Sequence, residues 1–170
     1  MFTNGARVLV VVLLALASAF AAWQGVFEIA ALGLMFIGLI VWGYFKEGPV
    51  ILAAKAFKQK NYQKAKALLH SIAKPDWLNK RRKPYYYYML GNIAVTEAHF
   101  AEAEVYLARA AVLGLRANDL GVSLMHLANI ALRNKDKEKG LLWIQKSQNL
   151  PLTEKYKSIL TKIEKELQKV

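Results

Sequence analysis

Two long apolar stretches begin the chain, and shorter amphipathic segments follow them. The apolar stretches run over about 5–23 and 26–45, with a short polar turn between them. Each has roughly the 17–25 residues with which a helix crosses the hydrocarbon core of a bilayer. The pattern predicts a transmembrane helical hairpin that forms a first domain over residues 1–46.

Beyond residue 46, apolar residues recur at helical spacing, and no alternating strand pattern of useful length is present. We therefore predict an all-α protein with a second domain over 47–170. Gly48-Pro49 is predicted to end the hairpin, with Pro49 in the first turn of the next helix. The predicted helices of the second domain cover roughly 49–59, 62–74, 84–97, 100–113, 119–134, 137–148 and 153–168.

A short motif recurs in this second domain. Leu90-Gly91-Asn92-Ile93-Ala94 is followed 37 residues later by Leu127-Ala128-Asn129-Ile130-Ala131. Such a period predicts stacked helical hairpins. The pattern resembles the tetratricopeptide repeat family, whose unit is two antiparallel helices with small residues at its eighth, twentieth and twenty-seventh positions. The aligned positions hold Ala53, Ala65 and Ile72; Gly91, Ala103 and Ala110; Ala128, Gly140 and Ser147.

The resemblance implies a short α-solenoid of about three helical hairpins and a C-terminal capping helix. The units cover about 46–79, 84–117 and 121–154, and the cap covers 153–170. Small residues suit this fold because two closely crossing helices leave no room for a large side chain at their contact. Ile72 departs from the pattern, and the spacings of 38 and 37 residues exceed the usual 34.

In this family the first helices of the units line a groove that binds proteins, and the resemblance implies the same surface here. Its predicted residues are Phe57, Lys58, Tyr85, Tyr88, Asn92, Met125, Asn129 and Arg133. The amides of Asn92 and Asn129 both donate and accept, which suits a peptide backbone, although hydrogen bonds within the stack would explain them equally well. Lys58 and Arg133 favour an acidic ligand.

The run Tyr85 to Tyr88 cannot serve one purpose, because successive helical residues point about 100° apart. Tyr85 and Tyr88 fall on the groove side of their helix, whereas Tyr87 falls at the large core position of the family pattern. Tyrosine is enriched in binding sites because it offers apolar area with a polar tip. Packing alone remains an alternative for two of the four.

A basic cluster, Lys80, Arg81, Arg82 and Lys83, precedes the tyrosines in the predicted loop between units. A solvated loop explains it without further function. The alternatives are contact with anionic lipid head groups and, less favoured, with nucleic acid.

Charge also predicts a location. The formal net charge is +12, yet no Lys or Arg occurs between Val8 and Phe45. Because Lys and Arg are retained on the cytoplasmic side, Arg7 and the basic second domain predict an integral protein of a bacterial inner membrane with both termini and the repeat domain in the cytoplasm. A cleavable signal peptide ending within 17–21 is the alternative. The chain has no cysteine and hence no disulfide framework.

No catalytic motif accompanies these features. His70, His99 and His126 fall in different units, and the sequence has no phosphate loop or cysteine nucleophile. We therefore expect no enzyme, metal or cofactor, but a membrane-anchored adaptor that binds a protein partner. The alternative is an accessory subunit of a larger membrane complex that is held through the hairpin.

Overall fold

The computed structural model describes residues 4–169, and for residues 4, 5, 7 and 44–48 it describes the backbone alone. This part of the chain is all-α and contains no strand, which confirms the predicted class. Its helices are α1 (Asn4–Trp23), α2 (Phe27–Lys58), α3 (Tyr62–His70), α4 (Lys83–Thr96), α5 (Phe100–Leu113), α6 (Ala117–Arg133), α7 (Lys137–Gln148) and α8 (Glu154–Gln168), with a 3₁₀ turn at Pro75–Trp77.

Two compact units divide the chain, Met1–Gly48 and Pro49–Val170. In the first unit, α1 ends at a turn in which Gly25 has a φ of 79°. The helices on either side of this turn approach closely at Ser18 and Gly33, where a Cβ on the glycine would collide with the Ser18 hydroxyl. Many large apolar side chains of this unit are exposed, among them Leu16, Phe20 and Trp23.

The predicted membrane location is wrong. A helix needs about 20 predominantly apolar residues to span a bilayer. Within residues 4–169, no helix is both long and apolar enough to do so. This finding contradicts an integral inner-membrane protein with cytoplasmic termini and leaves the transmembrane assignment of 5–23 and 26–45 without support. The Arg7 side chain, which was used to predict the orientation in the membrane, lies outside the described part of the structure.

The predicted helix break at Gly48-Pro49 is also wrong, because α2 continues through Pro49 to Lys58. Proline lacks an N–H, so the helix loses one backbone hydrogen bond at this point. The residues after it are nonetheless well packed: Val50, Ala53 and Ala56 are buried in one core with residues of α3 and α4. Their burial offsets the lost hydrogen bond.

One turn geometry recurs three times in the second unit. Lys60, Ala98 and Lys135 have φ values of 59°, 59° and 56°, and they follow α2, α4 and α6. After α4, for example, the Ala98 N–H donates to the Val95 carbonyl at 3.1 Å and the His99 N–H to the Ala94 carbonyl at 2.8 Å. The other two turns have the same pair of hydrogen bonds, which satisfy carbonyls at the helix end. Three helix pairs are therefore joined in the same way, at intervals of 38 and 37 residues.

Small residues lie where these helices meet. Of the nine positions aligned above, all but Ile72 are buried. A Cβ on Gly91 would lie 2.6 Å from Leu107 Cγ and 3.2 Å from the Leu107 backbone nitrogen, so α4 and α5 are in close contact there. Gly140 of α7 approaches Leu167 of α8 in a similar way.

The last helix has one apolar and one polar face. Leu160, Ile163 and Leu167 of α8 are buried in a core shared with α6 and α7. The exposed face has the ion pairs Glu154–Lys157 and Glu166–Lys169. An amphipathic helix of this kind covers the apolar end of a helix stack.

Candidate partner-binding surface

An aromatic cluster lies where the first pair of helices, α2 and α3, meets α4. The ring centroids of Phe57 and Tyr88 are 6.3 Å apart, those of Tyr85 and Tyr88 are 6.4 Å apart, and those of Phe57 and Tyr62 are 5.6 Å apart. Such separations are typical of attractive edge-to-face aromatic pairs. We refer to Phe57, Tyr62, Tyr85 and Tyr88 as the aromatic cluster. All four residues are half-buried, so part of each ring area is accessible.

The tyrosine run divides between this cluster and the core. The side chains of Tyr86 and Tyr87 are buried, with relative exposures of 7% and 5%. Tyr87 stacks on Tyr106 at 6.3 Å between centroids, and the Arg109 guanidinium lies 4.5 Å from its ring centroid. The structure thus places Tyr85 and Tyr88 in the aromatic cluster, and Tyr86 and Tyr87 in packing.

A carboxylate from another helix lies close to the cluster. Burial raises the pKa of Tyr85, and the negative charge of Asp119 raises it further, whereas Arg116 opposes the shift. Burial also raises the pKa of Tyr88, with further contributions from Asp119 and Tyr156. Because α4 packs against α6 and α6 against α8, these two side chains lie on the helices that follow the cluster in the fold.

Sequence reasoning missed Asp119 and Tyr156. Asp119 lies in the first turn of α6, where the helix dipole favours an acidic residue. Its position in the sequence therefore suggested no binding role. Tyr156 belongs to the apolar face of α8, and that pattern predicts packing alone. The signal that could have found them is their position on alternate helices of the stack, which brings α4, α6 and α8 to one side.

The Tyr85 hydroxyl is buried beside groups of Asp119 and Arg116. Its oxygen is inaccessible to solvent, and hydrogen bonding with the Asp119 side chain and the Arg116 backbone shifts its pKa, although neither contact meets strict hydrogen-bond geometry. Because its oxygen is inaccessible, a ligand on this surface would contact the Tyr85 ring rather than its hydroxyl.

The two asparagines differ in availability. The Asn92 amide nitrogen donates to the Tyr88 carbonyl one turn earlier, at 2.7 Å. This bond within α4 uses one donor and leaves the Asn92 amide oxygen as an acceptor. Asn129, at the equivalent position of α6, is exposed. A hydrogen bond within the helix thus accounts for the amide nitrogen of Asn92 but not for its oxygen. The whole amide of Asn129 is accessible.

The remaining predicted groove residues do not form a joint site. The Arg133 guanidinium lies 4.0 Å from the Phe100 ring centroid, and Met125 packs half-buried against the α6–α8 core. Lys58 is exposed. No hydrogen bond, ion pair or ring contact among the described residues joins Lys58, Met125 or Arg133 to the aromatic cluster.

The basic cluster is partly occupied by contacts within the protein. Lys83 is the first residue of α4, and its ammonium lies 2.6 Å from the Asp76 carboxylate. The hydrogen bond and charge of Lys83 hold the pKa of Asp76 below its usual range. Lys80 and Arg81 are exposed, and Arg82 is half-buried. One of the four predicted surface cations is therefore paired.

Comparison with known proteins identifies no relative. No family model matches the sequence, and no curated protein or solved structure matches it either. In the part of the chain that the structure describes, no group of His, Asp and Glu side chains is arranged to hold a metal ion. The tetratricopeptide resemblance therefore depends on the internal pattern of the chain.

Proposed function

We propose that Pro49–Val170 is a short tetratricopeptide-type solenoid that works as an adaptor and binds a segment of a protein partner. The recurring turn after α2, α4 and α6 supports a repeated helical hairpin. The burial of small residues at equivalent positions supports the same unit. In a stack of such hairpins the first helices present one continuous surface, which suits an extended or helical peptide.

The aromatic cluster carries the proposal. It leaves accessible ring area on α2, α3 and α4, and Tyr85 and Tyr88 lie on the first helix of the second pair. Rigid aromatic side chains with polar tips are the residue type that contributes most to protein interfaces. A partner segment over Tyr85 and Tyr88 would bury this ring area.

The alternatives have less support. An accessory subunit held through a transmembrane hairpin requires a span that no described helix provides. Lipid or nucleic-acid binding through residues 80–83 would have Lys80, Arg81 and Arg82 available, because Lys83 is paired with Asp76.

Affinity purification of the tagged full-length chain, with quantitative mass spectrometry, tests the adaptor. The Asn129→Arg variant places a bulky charge on the proposed surface, and Val105→Arg places the same charge on the exposed face of α5. Both positions are exposed and helical, so the two variants are matched. We expect a stoichiometric partner to be retained by Val105→Arg and lost by Asn129→Arg. Retention of every partner by Asn129→Arg would contradict the proposed surface.

A further inference from the structure

The segment between α3 and α4 presents an exposed tryptophan beside several cations. Trp77 ends the 3₁₀ turn of this segment, and its side chain has a relative exposure of 65%. The Lys74 ammonium lies 4.6 Å from the centroid of the Trp77 ring. A little further along the chain, Lys80 and Arg81 are exposed and Arg82 is half-buried. We refer to Lys74, Trp77, Lys80, Arg81 and Arg82 as the Trp77 patch.

The backbone of this segment is held in a defined conformation. Leu78 is buried in the core that also contains residues of α4. The Asn79 carbonyl accepts from the N–H groups of Arg82 and Lys83, at 2.7 Å and 3.0 Å. The Asn79 side-chain oxygen accepts from the N–H of Arg81 at 3.2 Å. The Trp77 patch is therefore presented by an anchored turn.

The acid within this segment is already compensated. The Asp76 carboxylate lies 2.6 Å from the Lys83 ammonium and 3.5 Å from the Arg109 guanidinium. Within the described part of the chain, the cations of the Trp77 patch form no ion pair with a carboxylate. Their positive charge is therefore available to an anionic partner.

Cations beside an exposed tryptophan suit the head-group region of an anionic bilayer. Each Lys or Arg near such a surface strengthens binding by about fivefold. Tryptophan favours the same depth, because its ring is apolar and its N–H is polar. Single-stranded nucleic acid is bound instead by several aromatic side chains along a groove, whereas the Trp77 patch contains one aromatic residue.

We propose that the Trp77 patch binds the surface of a bilayer that contains anionic lipids. The cations contact the phosphates, and the Trp77 ring lies among the head groups. This contact takes place at the bilayer surface and requires no membrane-spanning helix. It adds a second binding surface to the proposed adaptor and does not depend on the aromatic cluster.

A fluorescent probe beside the Trp77 patch tests this contact. The chain has no cysteine, so a single introduced one can be labelled with an environment-sensitive fluorophore. Ala73→Cys places the probe next to Lys74, and Val105→Cys places it on α5 as a control; both positions are exposed. The labelled full-length protein is titrated with vesicles of phosphatidylcholine, alone or mixed in equal parts with phosphatidylglycerol. We expect the probe at residue 73 to brighten with the anionic vesicles and to respond weakly to the neutral ones, and the probe at residue 105 to remain unchanged.

Paired variants separate the patch from the general charge of the protein. Lys80→Gln with Arg81→Gln removes two cations of the Trp77 patch. Lys162→Gln with Lys165→Gln removes two exposed cations of α8 and lowers the net charge by the same amount. We expect the patch variant to raise the lipid concentration for a half-maximal response by about tenfold or more, and the α8 variant to leave it within about twofold. Trp77→Ala, at an exposed position, should weaken the response several-fold.

Each outcome decides for or against the lipid contact. A response at residue 73 that needs phosphatidylglycerol and weakens only in the patch variant supports it. Equal responses at residues 73 and 105, equal effects of the two double variants, or equal responses to both kinds of vesicle overturn it.

A parallel titration with labelled single-stranded RNA covers the other anionic polymer. RNA binding that depends on Lys80 and Arg81, without a vesicle response at residue 73, would assign the Trp77 patch to nucleic acid and overturn the lipid contact. The proposed function is tested separately through Asn129→Arg, so failure of one proposal is distinguishable from failure of the other.

Discussion

Lys60, Ala98 and Lys135 hold left-handed backbone conformations at the ends of three helices. This conformation costs about 1–2 kcal/mol for a residue with a Cβ, and glycine adopts it without that cost. The end of α1 shows the alternative, since Gly25 holds the equivalent position there with a φ of 79°. The left-handed turns were not predictable from residue type, because none of the three residues is Gly or Asn.

Replacing Ala98 by glycine should therefore stabilise the protein. We expect Ala98→Gly to raise the free energy of unfolding by about 1 kcal/mol, because the steric cost at the end of α4 disappears. Urea denaturation followed by circular dichroism measures the change. Ala101→Gly, on the exposed face of the first turn of α5, is the matched control and should lower stability. Destabilisation by both variants would contradict the role of the left-handed position.

His126 gives stability a pH dependence. Burial lowers the pKa of His126 in the folded state below the value near 6.5 of the unfolded chain. The unfolded state therefore binds more protons as pH falls below about 6.5, and stability decreases in that direction. We expect the urea midpoint to fall less between pH 7.5 and pH 5 in His126→Gln than in wild type. If the urea midpoints of the two proteins changed equally with pH, protonation of His126 would not contribute to the pH dependence of stability.

Residue patterns predicted part of the candidate site. Helical periodicity is sufficient to separate Tyr85 and Tyr88 from Tyr86 and Tyr87, because the four point in different directions on one helix. It does not show how neighbouring helices are stacked. Asp119 became part of the site only through the arrangement of α6 against α4, which no local pattern contains.

At the scale of elements, local signals placed most helices well. The predicted helix over 100–113 coincides with α5, and that over 137–148 coincides with α7. The helix α3 ends at His70 rather than 74. The bias of Lys74, as the residue before Pro75, accounts for the last of these residues but not for 71–73. The local signal at Pro49 was misleading because burial of the following residues outweighs a lost hydrogen bond, and burial depends on tertiary contacts.

The contact between α4 and α5 predicts a strong effect at Gly91. In Gly91→Ala the new Cβ would lie 2.6 Å from Leu107 Cγ and 3.2 Å from the Leu107 backbone nitrogen, so the helices must move apart. We expect a loss of about 1–3 kcal/mol in the free energy of unfolding. Gly38→Ala, in α2, has open space around its new Cβ and serves as a control that should not destabilise. An equal effect of the two changes in thermal unfolding would contradict close packing at Gly91.

On the scale of the whole molecule, the chain contains an apolar helical unit and a unit built from three similarly joined helix pairs. The all-α class and the period of the second unit were predictable, because both arise from regular spacing of apolar and small residues. The membrane location was predicted from the length and charge of the apolar segments alone, and no described helix is long and apolar enough to support it. Function is proposed from the surface that the repeated first helices share.

Site-specific photocrosslinking tests this central proposal most directly. A photoreactive amino acid is placed at residue 129 on α6 or, as a matched control, at residue 105 on α5, and the full-length protein is irradiated in the cells that produce it. We predict a crosslinked protein partner from residue 129 and none from residue 105, with loss of the crosslink when Tyr85→Ala is added. A partner captured from residue 105 alone would place the binding surface on the second helices and contradict the account.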